Sequence, residues 1–179
     1  MATLEIDEDV IIRPADAGNP TATTFKRFKS HEQPMITLTG PYGPSYTINT
    51  AHTVTPMELM FYGGSKNWED YFTFENNSVR IKGNKIRKVI IGGQALVSRG
   101  PDGSDLRLAL RWNKEWATLF MCGFKDWTGE NLPLPMRIYD VKDGDTFDLA
   151  IGGSKTGTYT MVYGNNSTML TIWAVDYDL

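Results

Sequence analysis

The side chains able to do chemistry are few and scattered. The chain has 2 histidines and 1 cysteine among 179 residues. His31 stands in a polar N-terminal stretch, and His52 follows Thr50-Ala51 beside a predicted loop. Neither has the Gly-x-Ser-x-Gly context of a nucleophile elbow, and an activated Ser or Cys needs a base beside it. Cys122 lies in the apolar run Leu119 to Phe124, which suits a packed core thiol better than a nucleophile. Asp140, Asp143, Asp145 and Asp148 are dense enough in oxygen to suggest a hard cation. Their spacing is not that of an EF-hand, and Asp143-Gly144 is turn chemistry. Gly152-Gly153-Ser154-Lys155-Thr156-Gly157 resembles a phosphate loop only superficially. A Walker A loop puts Gly before Lys and a helix after it, whereas here Ser154 precedes Lys155 between two predicted strands. The expectation is a protein that is not an enzyme, with no catalytic residue, cofactor or metal.

Two aromatic groups suggest binding instead. Phe25-Lys26-Arg27-Phe28-Lys29 could stack on and pair with single-stranded nucleic acid, or dock on an acidic protein surface. Net charge is −3, from 18 basic and 21 acidic residues, which argues against a nucleic-acid binder and favours the protein surface. Trp112, Trp116 and Trp127 sit near predicted loops, where exposed tryptophan marks sugar or protein contact. Packing against the ends of a sandwich or within a subunit interface is the plainer expectation for them. No apolar run approaches the roughly 18 residues of a membrane helix, so no membrane partner is expected. The acidic start, with Glu5, Asp7, Glu8 and Asp9, is unlike a secretory signal.

The elements that must position these residues are strands. With 41% hydrophobic residues, the chain can bury a core without disulfides. Short runs rich in Thr, Val, Ile, Tyr and Phe alternate with 17 glycines and 9 prolines. Predicted strands are Met35–Thr39, Tyr46–Thr50, Tyr71–Phe74, Ser78–Ile81, Lys88–Val97, Leu106–Trp112, Leu134–Val141, Thr146–Ile151, Thr158–Tyr163 and Ser167–Val175. Glu75-Asn76-Asn77 reads as a hairpin tip. Pro56 to Phe61 is too short for a helix and reads as strand or turn. Residues 1–34 have too few apolar side chains for a core and are expected to form an extended arm, with one strand within Leu4–Pro14. Residues 35–179 would form the folded domain. The fold class expected is an all-β, antiparallel jelly-roll sandwich with an N-terminal arm.

From Tyr71 onward the order of motifs resembles the C1q/TNF-like jelly roll, particularly the trimeric versions in bacteriophage virions. The motifs are the hairpin Tyr71–Ile81, the central strand Val89–Val97 with Gly92-Gly93, the Gly144-Asp145 turn before Phe147, and the closing strand Ser167–Val175. The chain lacks the collagen-like Gly-X-Y stretch of animal C1q proteins. The resemblance implies a homotrimer whose closing strand lies in the inner sheet near the threefold axis. Met169, Thr171, Trp173, Val175 and Tyr177 form one face of that strand, and Leu170, Ile172 and Ala174 the other. The Trp173 face is expected to meet neighbouring subunits. The function expected is a capsid decoration or cement protein on the virion surface, made in the host cytoplasm. Its arm, through Phe25, Lys26, Arg27, Phe28 and Lys29, would dock on the major capsid protein. The other expectation on this fold is a receptor- or glycan-binding knob at a fibre tip, using the loops that carry Trp112, Trp116 and Trp127.

Overall fold

The computed structural model describes residues 9–11, 24–26, 33–123, 130–162 and 168–177; for 9–11, 24–26, 116–123, 130, 176 and 177 it describes the backbone. The strands are β1 (Asp9–Ile11), β2 (Thr24–Lys26), β3 (Met35–Thr39), β4 (Ser45–Ile48), β5 (Val54–Pro56), β6 (Met60–Gly64), β7 (Phe72–Glu75) and β8 (Ser78–Ile81). Then follow β9 (Ile86–Arg99), β10 (Asp105–Trp112), β11 (Glu115–Gly123), β12 (Glu130–Asp140), β13 (Thr146–Gly153), β14 (Gly157–Met161) and β15 (Thr168–Tyr177). A single 3-10 turn, Trp68–Asp70, breaks the run of strands among the described residues.

Two antiparallel sheets face each other. One runs β11-β10-β13-β8-β7, with β5 also on β13; the other runs β4-β14-β9-β15-β3-β6, with β12 also on β9. The jelly-roll sandwich expected from the pattern of alternation is therefore the architecture found. β9 is the spine of the larger sheet. It is 14 residues long, and β12, β14 and β15 all pair with it. The core lies between the sheets: Ile36, Leu38, Val89, Ile91, Leu170 and Ile172 from one, and Leu106, Leu108, Phe147, Leu149 and Ile151 from the other. The register on β10 is the one that buries Leu106, Leu108 and Leu110, and Ala109 is buried as well.

Turn chemistry fixes the registers. Asn76 and Asn77 both have positive φ, 50° and 63°, as a two-residue hairpin turn of mirror type requires. Gly144 has φ 86° and opens the turn closed by Asp145. The buried Asp145 carboxylate accepts from Lys142 N at 3.0 Å and from Asn113 Nδ2 at 2.9 Å. Its carbonyl accepts from Ile81 N at 2.8 Å, so one residue ties three segments together.

Several local expectations are corrected. Gly152 and Gly153 belong to β13, and the turn is confined to Ser154–Thr156. β11 and the 3-10 turn were not expected; the loop foreseen near Trp112 is a tight turn that Asn113 and Lys114 carry with φ 52° and 68°. Pro133 and Pro135 lie inside β12 rather than at its start, which a bulge between Leu134 and Arg137 permits. Of residues 1–32 the structure describes two short strands: β1 and β2 pair antiparallel, Val10 opposite Phe25, and form a two-stranded sheet of their own.

Candidate functional site: an apolar sheet face

The residues that could do chemistry are dispersed into structural roles. Asp148 is buried and forms a bidentate pair with Arg111, Nε–Oδ1 2.6 Å and Nη2–Oδ2 2.8 Å, and Ser78 Oγ donates to it at 3.1 Å. Asp145 caps its turn. Asp143 Oδ1 accepts from Gly83 N at 2.7 Å, and Asp140 lies 3.7 Å from Lys88 Nζ. The acidic run is thus pulled apart in space. Among the described residues no three His, Cys, Asp or Glu side chains group as a metal site. His52 is an exposed turn residue with φ 65°, its Nδ1 2.7 Å from Arg107 Nη2. Trp112 is half-buried and packs on Phe147 and Tyr139 with ring centroids 5.8 and 5.9 Å apart, so it closes the core rather than offering a loop-tip surface. Trp116 and Cys122 lie on β11, described through its backbone. His31 and Trp127 lie outside the described residues.

What the sheets do concentrate is an apolar face. β15 alternates between two environments. Leu170, Ile172 and Ala174 are fully buried in the sandwich, whereas Met169, Thr171 and Trp173 lie on the opposite, outer face. Opposed residues of antiparallel strands share a face. The pairings Ile138–Ile90, Ile90–Trp173 and Trp173–Met35 therefore form one apolar row across four strands, β12, β9, β15 and β3. Met136 overhangs Gly92; a Cβ on Gly92 would sit 2.8 Å from Met136 Cγ. Gly92 has no side chain there, and an open groove of about 340 Å³ runs beside it, lined by Gln94, Met136, Met169, Thr171 and Trp173. Ile138 is 64% exposed and Met136 68% exposed.

The polar atoms inside this face are already satisfied within the sheet. Thr37 Oγ1 and Thr171 Oγ1 share a hydrogen bond of 3.2 Å, and Thr39 Oγ1 donates to Thr168 O at 3.0 Å. Covering such hydroxyls costs little, since a buried polar group is expensive only when left unpaired.

Three of the five residues expected at a subunit interface, Met169, Thr171 and Trp173, fall on this face. The alternation fails at its end. The register shifts between Ala174 and Asp176 and again before Tyr177, so Val175 has no partner on β9, and Tyr177 pairs with Ile86. Sequence reasoning missed Met35, Ile90, Met136 and Ile138. Their strands were legible, but cross-strand neighbours are not. Phe25 and Lys26 lie on β2, and Arg27, Phe28 and Lys29 lie outside the described residues.

Neither a protein-family model nor a curated protein matches the chain. Solved structures do. Murine APRIL at pH 5.0 superposes with a TM-score of 0.58 at 10% identity, over 80% of this chain and 99% of that one. The fold is a C1q/TNF-like jelly roll. Eiger TNF from S. frugiperda gives a TM-score of 0.51 at 10% identity, over 82% of this chain and 95% of that one. The globular domain of zebrafish complement 1qA protein gives 0.51 at 8% identity, over 81% and 99%. At such identities the likeness establishes the jelly roll and leaves function to the surface of this chain.

Proposed function

We propose that the chain is the subunit of a homotrimer that serves as a structural protein of a phage-type virion, decorating the capsid. The observation that carries the trimer is the outer face of the larger sheet. Ile138, Ile90, Trp173 and Met35 form an unbroken apolar row there, with hydroxyls paired beneath it. Apolar surface gathered on one face, after the core has been filled from the other, is what an obligate interface needs. A closed threefold arrangement would bury the same face of each subunit.

The virion role rests on the similarity of the motifs from Tyr71 to Val175 to phage jelly rolls and on the arm that precedes the sandwich. In this role the jelly roll is the trimerising body. The three arms bind the shell, each weakly, and gain strength by acting together. Capsid shells lacking this protein test the docking. Full-length trimer should co-sediment with them, whereas trimer lacking residues 1–34 should stay in solution. Co-sedimentation that survives the deletion would refute docking through the arm.

A further inference from the structure

We propose that Met136 is a redox gate on assembly: peroxide reaches its sulfur in the free subunit, the sulfoxide formed bars that subunit from the trimer, and the assembled trimer shields the same sulfur. This rests on the trimer proposed above. Among the methionines with described side chains, Met57 and Met161 are 1% and 0% exposed, and Met35 and Met169 are half-buried. Met60 is 47% exposed on β6, the last strand of the larger sheet. Met136 is the most open of them, at 68%. Oxidation of a thioether needs access of the oxidant to the sulfur, so these exposures set an order of attack with Met136 first.

The sheet places this sulfur on the face that must be covered. Along β12 the register passes from Leu134 opposite Gly93 to Arg137 opposite Ile91, so Pro135 and Met136 together stand opposite Gly92. The Met136 side chain lies over that glycine: a Cβ on Gly92 would sit 2.8 Å from its Cγ and 3.5 Å from its Sδ. The thioether thus forms one wall of the open groove that Met169, Thr171 and Trp173 also line. On the same strand Ile138 begins the apolar row that continues through Ile90 and Trp173. A reduced thioether is apolar and polarisable, and it packs readily against aromatic and aliphatic neighbours. Hydrogen peroxide removes that property. The sulfur lone pair takes one peroxide oxygen, the O–O bond breaks, and the other oxygen leaves as water with both protons. The sulfoxide is polar and disrupts methionine-rich interfaces. In the free subunit water solvates its oxygen; under a neighbouring subunit that water must be shed against an apolar row.

A peroxide time course on the full chain, read site by site by mass spectrometry of the digest, tests this. The wild-type protein is compared with Ile138→Glu, the substitution that should hold the folded subunit apart. Met136 should oxidise several-fold more slowly in the wild-type trimer than in I138E, while Met57 and Met161 stay reduced in both. Met136→Gln, which sets an amide oxygen where the sulfoxide oxygen would stand, should give the monomer mass by light scattering and keep the wild-type circular dichroism. Met136→Leu should stay trimeric. Equal oxidation of Met136 in trimer and subunit, or a trimeric M136Q, would overturn the gate while leaving the trimer standing. A wild-type chain of monomer mass, or I138E of trimer mass, would overturn the assignment of the face and the gate with it.

Discussion

Replacing Ile138 with glutamate separates assembly from folding. In the single subunit Ile138 is 64% exposed, so most of its side chain already faces solvent. Surface substitutions of this kind change stability by about 0.5 kcal/mol or less. In the proposed trimer the same position is covered. A carboxylate then enters a dry interface with its nearest row neighbours apolar, Ile90 and Trp173. Taking about 3 kcal/mol as a low value for an unpaired buried charge, three copies cost about 9 kcal/mol. At about 1.4 kcal/mol per decade, that lowers the trimer association constant by about six decades. Light scattering of the I138E variant should give the monomer mass at concentrations where wild type is trimeric. Its urea transition, measured below the wild-type assembly threshold, should match wild type within about 0.5 kcal/mol. Ile138→Leu should remain trimeric. A trimeric I138E, or a variant that unfolds in isolation, would refute the assignment of this face.

The buried pair gives a second expectation. Asp148→Ala leaves Arg111, whose side chain is 16% exposed, without its partner. Urea unfolding should show a loss of about 3–5 kcal/mol, and the double variant R111M/D148L should recover much of it. Asp145→Ala orphans Lys142 N and the Asn113 amide, so about 2–4 kcal/mol should be lost; a loss under 1 kcal/mol would deny the turn network its role. Tyr46 supplies a pH test. Burial raises its hydroxyl above the ordinary 10.0, aided by the Glu58 charge and opposed by the hydrogen bond from Glu58 N. The unfolded chain therefore ionises first as pH rises. The stability contributed is whole below pH 10.0 and is lost above it. Urea midpoints of wild type and Tyr46→Phe, compared from pH 8 to 11, should diverge less as pH rises; a constant difference would contradict the burial argument.

Much of the sandwich was legible because strand and turn signals are local. Alternation in Leu106–Trp112 and Thr146–Ile151 marked strands, though it left the core face of the first open and the second is buried on both faces from Phe147 onward; Asn76-Asn77 marked a hairpin whose φ values only a few residue types tolerate. β11 was hidden because Glu115–Gly123 is polar at one end and continuously apolar at the other, with no clear period. Gly152-Gly153 looked like a turn, yet Gly152 pairs with both Arg107 and Val54 within the sheet. The candidate site was half legible. The alternation on β15 named its outer face, but the row completed by Ile90, Ile138 and Met35 depends on register among four strands. No local pattern encodes which residues those pairings bring side by side. The acidic cluster is divided for the same reason: neighbours in sequence such as Asp143 and Asp148 bond to different segments, Gly83 and Arg111.

The most direct test of the account is the mass of the purified full chain in solution, measured by light scattering across a dilution series. The account predicts a mass near three times the 20.1 kDa of one chain, held as the protein is diluted. A mass of 20.1 kDa at every concentration would contradict it, because the apolar face of β12, β9, β15 and β3 would then stand uncovered in water.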